Sequence, residues 1–204
     1  PKWLVGFSDI TAMHSAWFAA GVISVHGPMG GQLMEQQAQD ESSLYLRDML
    51  SGKNPIYKVT TKLDSLPNNH IGHAEGRLVG GNVETMMPYM DTPWDVLKQN
   101  QDVILFLEDV GENITHIQRR MVYLQMHGLL DRVKGVICGH FTEYTPEDYT
   151  DMEEMLEEFF APMQIPVVYH FPVGHKLPNY PLLHGAKVQM DVTETGVTLN
   201  FISE

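Results

Sequence analysis

Leu4-Val5-Gly6-Phe7-Ser8-Asp9-Ile10-Thr11-Ala12, almost at the start of the 204-residue chain, decides the reading of everything that follows. The apolar run from Trp3 to Val5 predicts a buried strand. It ends on Gly6, Ser8 and Asp9, and Ile10 to Ala20 continues with helical character. A strand, a sharp turn carrying serine and then a helix form the plan of a nucleophile elbow. The turn lifts the hydroxyl clear of the backbone and leaves N–H groups of the new helix beside it, where an oxyanion could be held. Ile10 stands where the best-known elbow pattern has its second glycine. On this stretch alone a simpler reading competes, in which Ser8 or Asp9 only caps the helix.

Outward from the elbow, Val22 to Val25 predicts a second strand running into His26-Gly27-Pro28-Met29-Gly30-Gly31. Two parallel strands joined by a helix indicate an open α/β sheet. Glu35 to Leu50 predicts one amphipathic helix with Gly52 past its end. The texture then changes. Ile56 to Leu66 alternates like a strand, Pro67-Asn68-Asn69 reads as a turn, and Ile71 to Leu78 reads as a strand closed by Gly80-Gly81-Asn82. A boundary in the low fifties would separate residues 1–52 from 53–204. Beyond it, strands are predicted over Asp102 to Leu107, Val133 to Cys138 and Pro166 to Phe171. Helices are predicted over Ile114 to Leu130 and Asp148 to Phe160, and a hairpin over Lys187 to Ile202, turning at Glu194-Thr195-Gly196. The fold class is therefore α/β, with the elbow in an N-terminal unit and a mixed sheet in a C-terminal one.

Composition removes several function classes. Twenty-six acidic residues against 13 basic give a formal charge of −13, a surface that repels phosphate backbones and argues against nucleic acid as partner. The single cysteine, Cys138, excludes an internal disulfide and fits a reducing compartment; in an apolar strand it reads as core. No apolar run reaches membrane-spanning length, so no membrane partner is expected.

A serine nucleophile needs a base, and the base needs an orienting acceptor. Histidine is the usual base because it titrates near neutrality. Among ten histidines, His175 follows an apolar strand and Pro172-Val173-Gly174, and strand-end loops carry the active residues of open α/β sheets, although local context alone favours an ordinary surface-loop histidine. The strand Ile104-Leu105-Phe106-Leu107 ends likewise in Glu108-Asp109. Proximity to the following helix dipole accounts for Glu112 but less well for Glu108. Three strand ends thus offer Ser, Glu and His, the chain order found in α/β-hydrolases. A metal site is not expected. His70 and His73, three apart on a strand, point to opposite faces, and no second cluster completes a ligand set. Gly80-Gly81-Asn82 is too short for a phosphate loop.

Taken together, the chain resembles the LD-carboxypeptidases, or muramoyltetrapeptide carboxypeptidases, and their relatives conferring immunity to microcin C. The segments that carry the resemblance are Gly6-Phe7-Ser8-Asp9-Ile10-Thr11, His26-Gly27-Pro28-Met29, Gly80-Gly81-Asn82, Leu105 to Asp109 with Glu112, Gly135 to Phe141, and Pro172-Val173-Gly174-His175. They run in family order over nearly the whole chain. The resemblance implies a Rossmann-like N-terminal domain carrying the serine and a C-terminal α/β domain supplying acid and base. It implies Ser8 as nucleophile, Glu108 as orienting acid, His175 as general base, the Asp9 N–H as one oxyanion donor and Asn82 on the substrate side. It also implies a cytoplasmic, homodimeric peptidase without cofactor that removes the terminal D-alanine from murein tetrapeptides. The alternatives are a peptidyl-nucleotide hydrolase and a catalytically silent peptide-binding domain. Family members carry a stretch before the elbow with a glycine-rich turn supplying a second oxyanion N–H. These 204 residues hold none of it, so impaired activity is expected of them alone. Leu182-Leu183-His184-Gly185 also departs from the family's proline-containing turn.

Overall fold

The computed structural model describes residues 2–35, 37–53, 56–60, 68–98, 102–145, 149 and 151–202. Strand β1 (Val5–Gly6) leads through a 3-10 turn, Ser8–Ile10, into helix α1 (Thr11–Ala19), and strand β2 (Ser24–His26) follows. β1 and β2 pair in parallel, as the strand–helix–strand pattern predicts, and β8 (Leu182–His184) joins β2 antiparallel. A strand from the far end of the chain thus completes the small sheet that carries the elbow.

The expected helix over 35–50 is two helices, α2 (Gly30–Glu35) and α3 (Glu41–Leu50). Gln37 and Ala38 take left-handed φ values of 51° and 53°, and the Asp40 side chain then accepts the Ser43 N–H and starts α3 afresh. The same capping device opens α4 (Val83–Met86) at Asn82, α5 (Ile114–Met126) at Asn113 and α6 (Met152–Phe160) at Asp151. Asp148, taken as the start of that last helix, lies outside the described residues.

The larger sheet has seven strands in the order β3-β10-β9-β4-β5-β6-β7. These are β3 (Ile56–Val59), β4 (Gly72–Asn82), β5 (Val103–Val110), β6 (Val133–Thr142), β7 (Val167–Val168), β9 (Lys187–Thr193) and β10 (Gly196–Phe201). β4 to β7 are parallel, while β9, β10 and β3 add an antiparallel flank, so the expected mixed sheet is present. The end of the predicted strand over 56–66 falls on residues 61–67, outside the described residues. Several strand bounds differ from expectation, among them β6, which runs past Cys138 to Thr142. β4 runs through Gly80-Gly81-Asn82 instead of turning there. β5 extends past Glu108. The strand over 166–171 shrinks to two residues, because the Tyr169 N–H bonds the Asn69 side chain (2.8 Å) and His170 takes a φ of 56°.

β5 is buried on both faces, as a central parallel strand must be. Val103, Leu105 and Leu107 pack with α5 and α6, while Ile104 and Phe106 pack on the opposite face with Leu182, Val25 and Met49. Glu108 continues this second set, and alternation therefore aims the acid at the small sheet and its elbow. Cys138 faces the α5/α6 side and is buried among apolar groups that push its thiol pKa up, as its core reading requires.

Candidate active site

Ser8 has a φ of 59°, a left-handed conformation uncommon for any residue but glycine. The turn is tight because Gly6 has no side chain; a Cβ there would stand 2.7 Å from Ile10 Cγ1. Ile10 thus fills the space Gly6 leaves open, and this elbow works with one glycine and one isoleucine.

His175 arrives from the loop after β7. His175 Nε2 lies 3.1 Å from Ser8 Oγ, and its Nδ1 lies 2.7 Å from Glu108 Oε2. The three residues, distant in sequence, form one hydrogen-bonded line. With Nδ1–H donating to the carboxylate, Nε2 is left to accept the serine proton. Phe7 packs edge-on to the imidazole, ring centroids 4.8 Å apart. Gly174 (φ 121°) presses against the acid, where a Cβ would meet Glu108 Oε2 at 2.8 Å.

Electrostatics follow from burial. Glu108 is fully buried, and desolvation pushes its carboxyl pKa up; the hydrogen bond and charge of His175, then the Asn82 amide, pull it back without cancelling that rise. Glu108 Oε1 has no hydrogen-bond partner among the described residues. Desolvation alone would lower the His175 pKa, but the hydrogen bond and charge of Glu108, with Asp109 and Glu143 behind, outweigh it and hold the pKa above the usual value. Next along β5, Asp109 is pushed up to about 6 by burial, although the Glu84 and Val110 N–H groups donate to it.

The other expected residues are placed as follows. Asp9 is the second residue of the 3-10 turn that starts at Ser8, and the leading N–H groups of a helix have no intrahelical acceptor. Asn82 stands opposite Glu108 in the β4–β5 ladder, and its side-chain Oδ1 accepts the Thr85 N–H at 2.9 Å. His70 and His73 diverge, to Glu157 (2.8 Å) and Asp191 (2.7 Å), and no group of three or more metal-ligating side chains occurs among the described residues. A small cavity of about 110 Å³ between Cys138, Glu153, Tyr169 and His170 lies against α6, on the sheet face away from Ser8.

Two supporting groups were not visible in the sequence. The loop bearing His175 is pinned by Asn179, which is fully buried: its Oδ1 accepts the Gly174 N–H, its backbone N–H donates to Ser42 Oγ and its side-chain amide donates to Gln32 Oε1, each at 2.9 Å. Behind the elbow sit three fully buried histidines, His14, His26 and His184. His14 Nε2–H donates to the Gly6 carbonyl (2.9 Å), so its Nδ1 accepts from Ser24 Oγ (2.7 Å); its ring stacks on His184, 5.4 Å away. Neither ring nitrogen of His26 has a partner among the described residues. Burial lowers the pKa of all three, and the mutual proximity of the rings lowers those of His26 and His184 further.

These histidines make a stability prediction. Unfolded, each binds a proton below about pH 6.5, whereas folded it resists protonation, so the unfolded state binds more protons and stability is lost as pH falls below that value. His170 and His175, whose pKa values are raised, contribute in the opposite sense. His26→Leu isolates the first effect. It is expected to flatten the fall in urea-unfolding free energy below pH 6.5 by up to ~1.4 kcal/mol per pH unit, one proton's worth. An unchanged slope would show that His26 already binds its proton in the folded state.

The sequence profile of the LD-carboxypeptidase C-terminal domain matches residues 75–190, and that of the N-terminal domain matches residues 1–27. The chain belongs to the LD-carboxypeptidase family. It is 31% identical to the murein tetrapeptide carboxypeptidase of Pseudomonas aeruginosa, over 88% of this chain and 59% of that protein. It is 24% identical to the microcin C7 self-immunity protein of Escherichia coli, over 98% of this chain and 65% of the relative. Its fold superposes on the crystal structure of muramoyltetrapeptide carboxypeptidase from Oxalobacter formigenes with a TM-score of 0.83, at 26% identity, covering 99% of this chain and 68% of the other. The chain therefore spans about three fifths of the length of the curated relatives it matches. The N-terminal family profile covers β1, the elbow, α1 and β2, and the C-terminal profile covers both the Gly-Gly-Asn and Pro-Val-Gly-His segments.

Proposed function

We propose that the chain carries the catalytic machinery of a serine-type LD-carboxypeptidase that removes the terminal D-alanine from murein tetrapeptides. The observation that supports this most is the unbroken line Ser8 Oγ, His175, Glu108, with spacings of 3.1 and 2.7 Å. His175 Nε2 takes the Ser8 proton as Oγ attacks the amide carbonyl, and the imidazolium is stabilised by the Glu108 carboxylate. The Asp9 N–H receives the oxyanion; one such donor is worth ~10²–10³ in rate. The proton then passes to the leaving amine of D-alanine, and water repeats the sequence to free the acyl group. Asn82 is assigned the substrate side of the acid, with its side-chain Oδ1 already engaged by the Thr85 N–H. No metal or cofactor enters this scheme. A cytoplasmic homodimer suits turnover of recovered wall peptides; among the described residues no helix is long and apolar enough to cross a membrane.

The test is D-alanine release from a murein tetrapeptide, together with fluorophosphonate treatment and mapping of the adduct. Release with the adduct on Ser8 supports the proposal. An adduct on Ser8 without release, but with cleavage of an aminoacyl sulfamoyl nucleotide, transfers the reading to the microcin-immunity reaction. Absence of any adduct leaves a peptide-binding domain and refutes the enzyme.

Because neutral His175 is the species that accepts the proton, acylation is expected to fall as pH drops through its raised pKa, giving an acid midpoint above 6.5. Fluorophosphonate rates from pH 5 to 9 check this. A rate flat across that range would remove His175 from the role of base.

A further inference from the structure

We propose that Thr11 is a positioning residue that sets the nucleophile in register with the acid. The proposal rests on the serine reading above and adds a residue that touches none of the reacting atoms. Thr11 opens α1, one helical turn after Ser8, and is fully buried. Its Oγ1 accepts the backbone N–H of Asn82 at 3.1 Å, across from the small sheet to the larger one. Asn82 is the register partner of Glu108 in the β4–β5 ladder. A closed circuit results: Ser8 to His175, His175 to Glu108, Glu108 across the ladder to Asn82, Asn82 to Thr11, and Thr11 back along the helix to Ser8. Every link but the last is a non-covalent contact between segments far apart in sequence.

The neighbouring glycine is fitted to this contact. Gly81 has a φ of 137°, and a Cβ on it would stand 2.5 Å from Thr11 Oγ1 and 2.8 Å from Thr11 Cγ2. The backbone of β4 approaches the threonine closely because residue 81 lacks a side chain. The Thr11 carbonyl is engaged in turn by Ser15 Oγ, at 3.0 Å, which ties the first turn of α1 to the second. Two short motifs, Ser8-Asp9-Ile10-Thr11 and Gly80-Gly81-Asn82, are thereby one device. The first carries the nucleophile, the second flanks the acid, and the threonine hydroxyl joins them.

The hydroxyl is the operative atom, so shape and chemistry can be separated. Thr11→Val keeps the volume but removes the acceptor, leaving a buried backbone N–H unpaired and free to draw β4 away from the elbow. Thr11→Ser keeps the acceptor and loses a methyl. The second-order rate of fluorophosphonate addition to Ser8 is expected to fall ~10–100-fold in Thr11→Val, the scale set by sub-ångström to one-ångström misplacement of reacting groups. In Thr11→Ser it should stay within about threefold of wild type, because the positioning hydrogen bond persists. The acid midpoint of the rate should not move in either, since Thr11 is no part of the titrating pair. Val197→Ala, in the distant β10, serves as a control: it lowers urea stability without touching the circuit, and should keep the wild-type rate. If Thr11→Val does not accumulate, Thr11→Ala carries the same expectation.

A Thr11→Val rate equal to wild type overturns the proposal, as does a Thr11→Ser rate as low as that of Thr11→Val. A Val197→Ala rate that falls in parallel would reduce the effect to general destabilisation and also overturn it. A wild-type protein that Ser8 labelling never marks refutes the serine reading itself, and the two failures are thus told apart.

Discussion

Glu108→Gln is expected to slow acylation of Ser8 by ~10³–10⁴-fold while the protein stays folded. The carboxylate accepts the Nδ1–H of His175 at 2.7 Å from a fully buried position, and this fixes the tautomer in which Nε2 is free to accept the serine proton. A glutamine fills the same space, but it can turn its NH₂ toward Nδ1. Nδ1 then becomes the acceptor, the proton moves to Nε2, and the base faces Ser8 with nothing to accept a proton. The anion that would stabilise the imidazolium is lost as well. Folding should change far less, because burial already disfavours the charge that glutamine removes. Fluorophosphonate rates alongside urea midpoints check both halves. A Glu108→Gln protein within tenfold of wild type would mean that His175 is oriented by something else, and the assignment of the acid would fall.

The three residues of that line were legible in the sequence for one physical reason. Each follows an apolar run, and the run ending at Glu108 is a strand buried on both faces; the run before Ser8, expected to be buried, has Trp3 exposed and Val5 half-buried, because β1 lies in the small three-stranded sheet. Pairing between the runs was less visible. Gly80-Gly81-Asn82 reads locally as a turn, because glycine is out of place within a strand. Its glycines are there for neighbours: the Phe106 carbonyl and the Thr11 side chain occupy the space where Cβ atoms would project. Thr11, Asn179 and the trio His14, His26 and His184 were missed for a related reason. Their partners come from distant segments, and a buried polar side chain has no periodic signature to give it away. The split of 35–50 into two helices was in principle readable, since Asp40 followed by Ser43 is a capping pattern. The apolar positions on either side outweighed it. Local rules therefore offered the three candidates, the family resemblance assigned their roles, and tertiary contacts decide how closely they are held.

Gly80→Ala is expected to be the most damaging single methyl in this fold. Gly80 lies in β4 with a φ of 132°, opposite Phe106 of β5 in the middle of the parallel ladder. A Cβ on it would stand 1.9 Å from the Phe106 carbonyl oxygen. That neighbour is backbone and cannot swing aside like the tip of a side chain. Relief requires β4 and β5 to part, or residue 80 to leave a conformation that already costs alanine about 1–3 kcal/mol. Either movement disturbs the ladder toward Asn82 and Glu108, and it strains the contact of the Gly80 N–H with His184 Nε2 at 3.4 Å. Strain and lost strand pairing together place the expected loss at roughly 4 kcal/mol or more, the range kept for disruption of a buried backbone. Urea unfolding of Gly80→Ala beside wild type measures it, and fluorophosphonate addition to Ser8 in the folded fraction reports whether the acid has shifted. A Gly80→Ala protein with the wild-type midpoint would show that β4 and β5 have slack between them. The register that brings Asn82 to Glu108, and through Thr11 to the elbow, would then be looser than the contacts at Gly80 and Gly81 require.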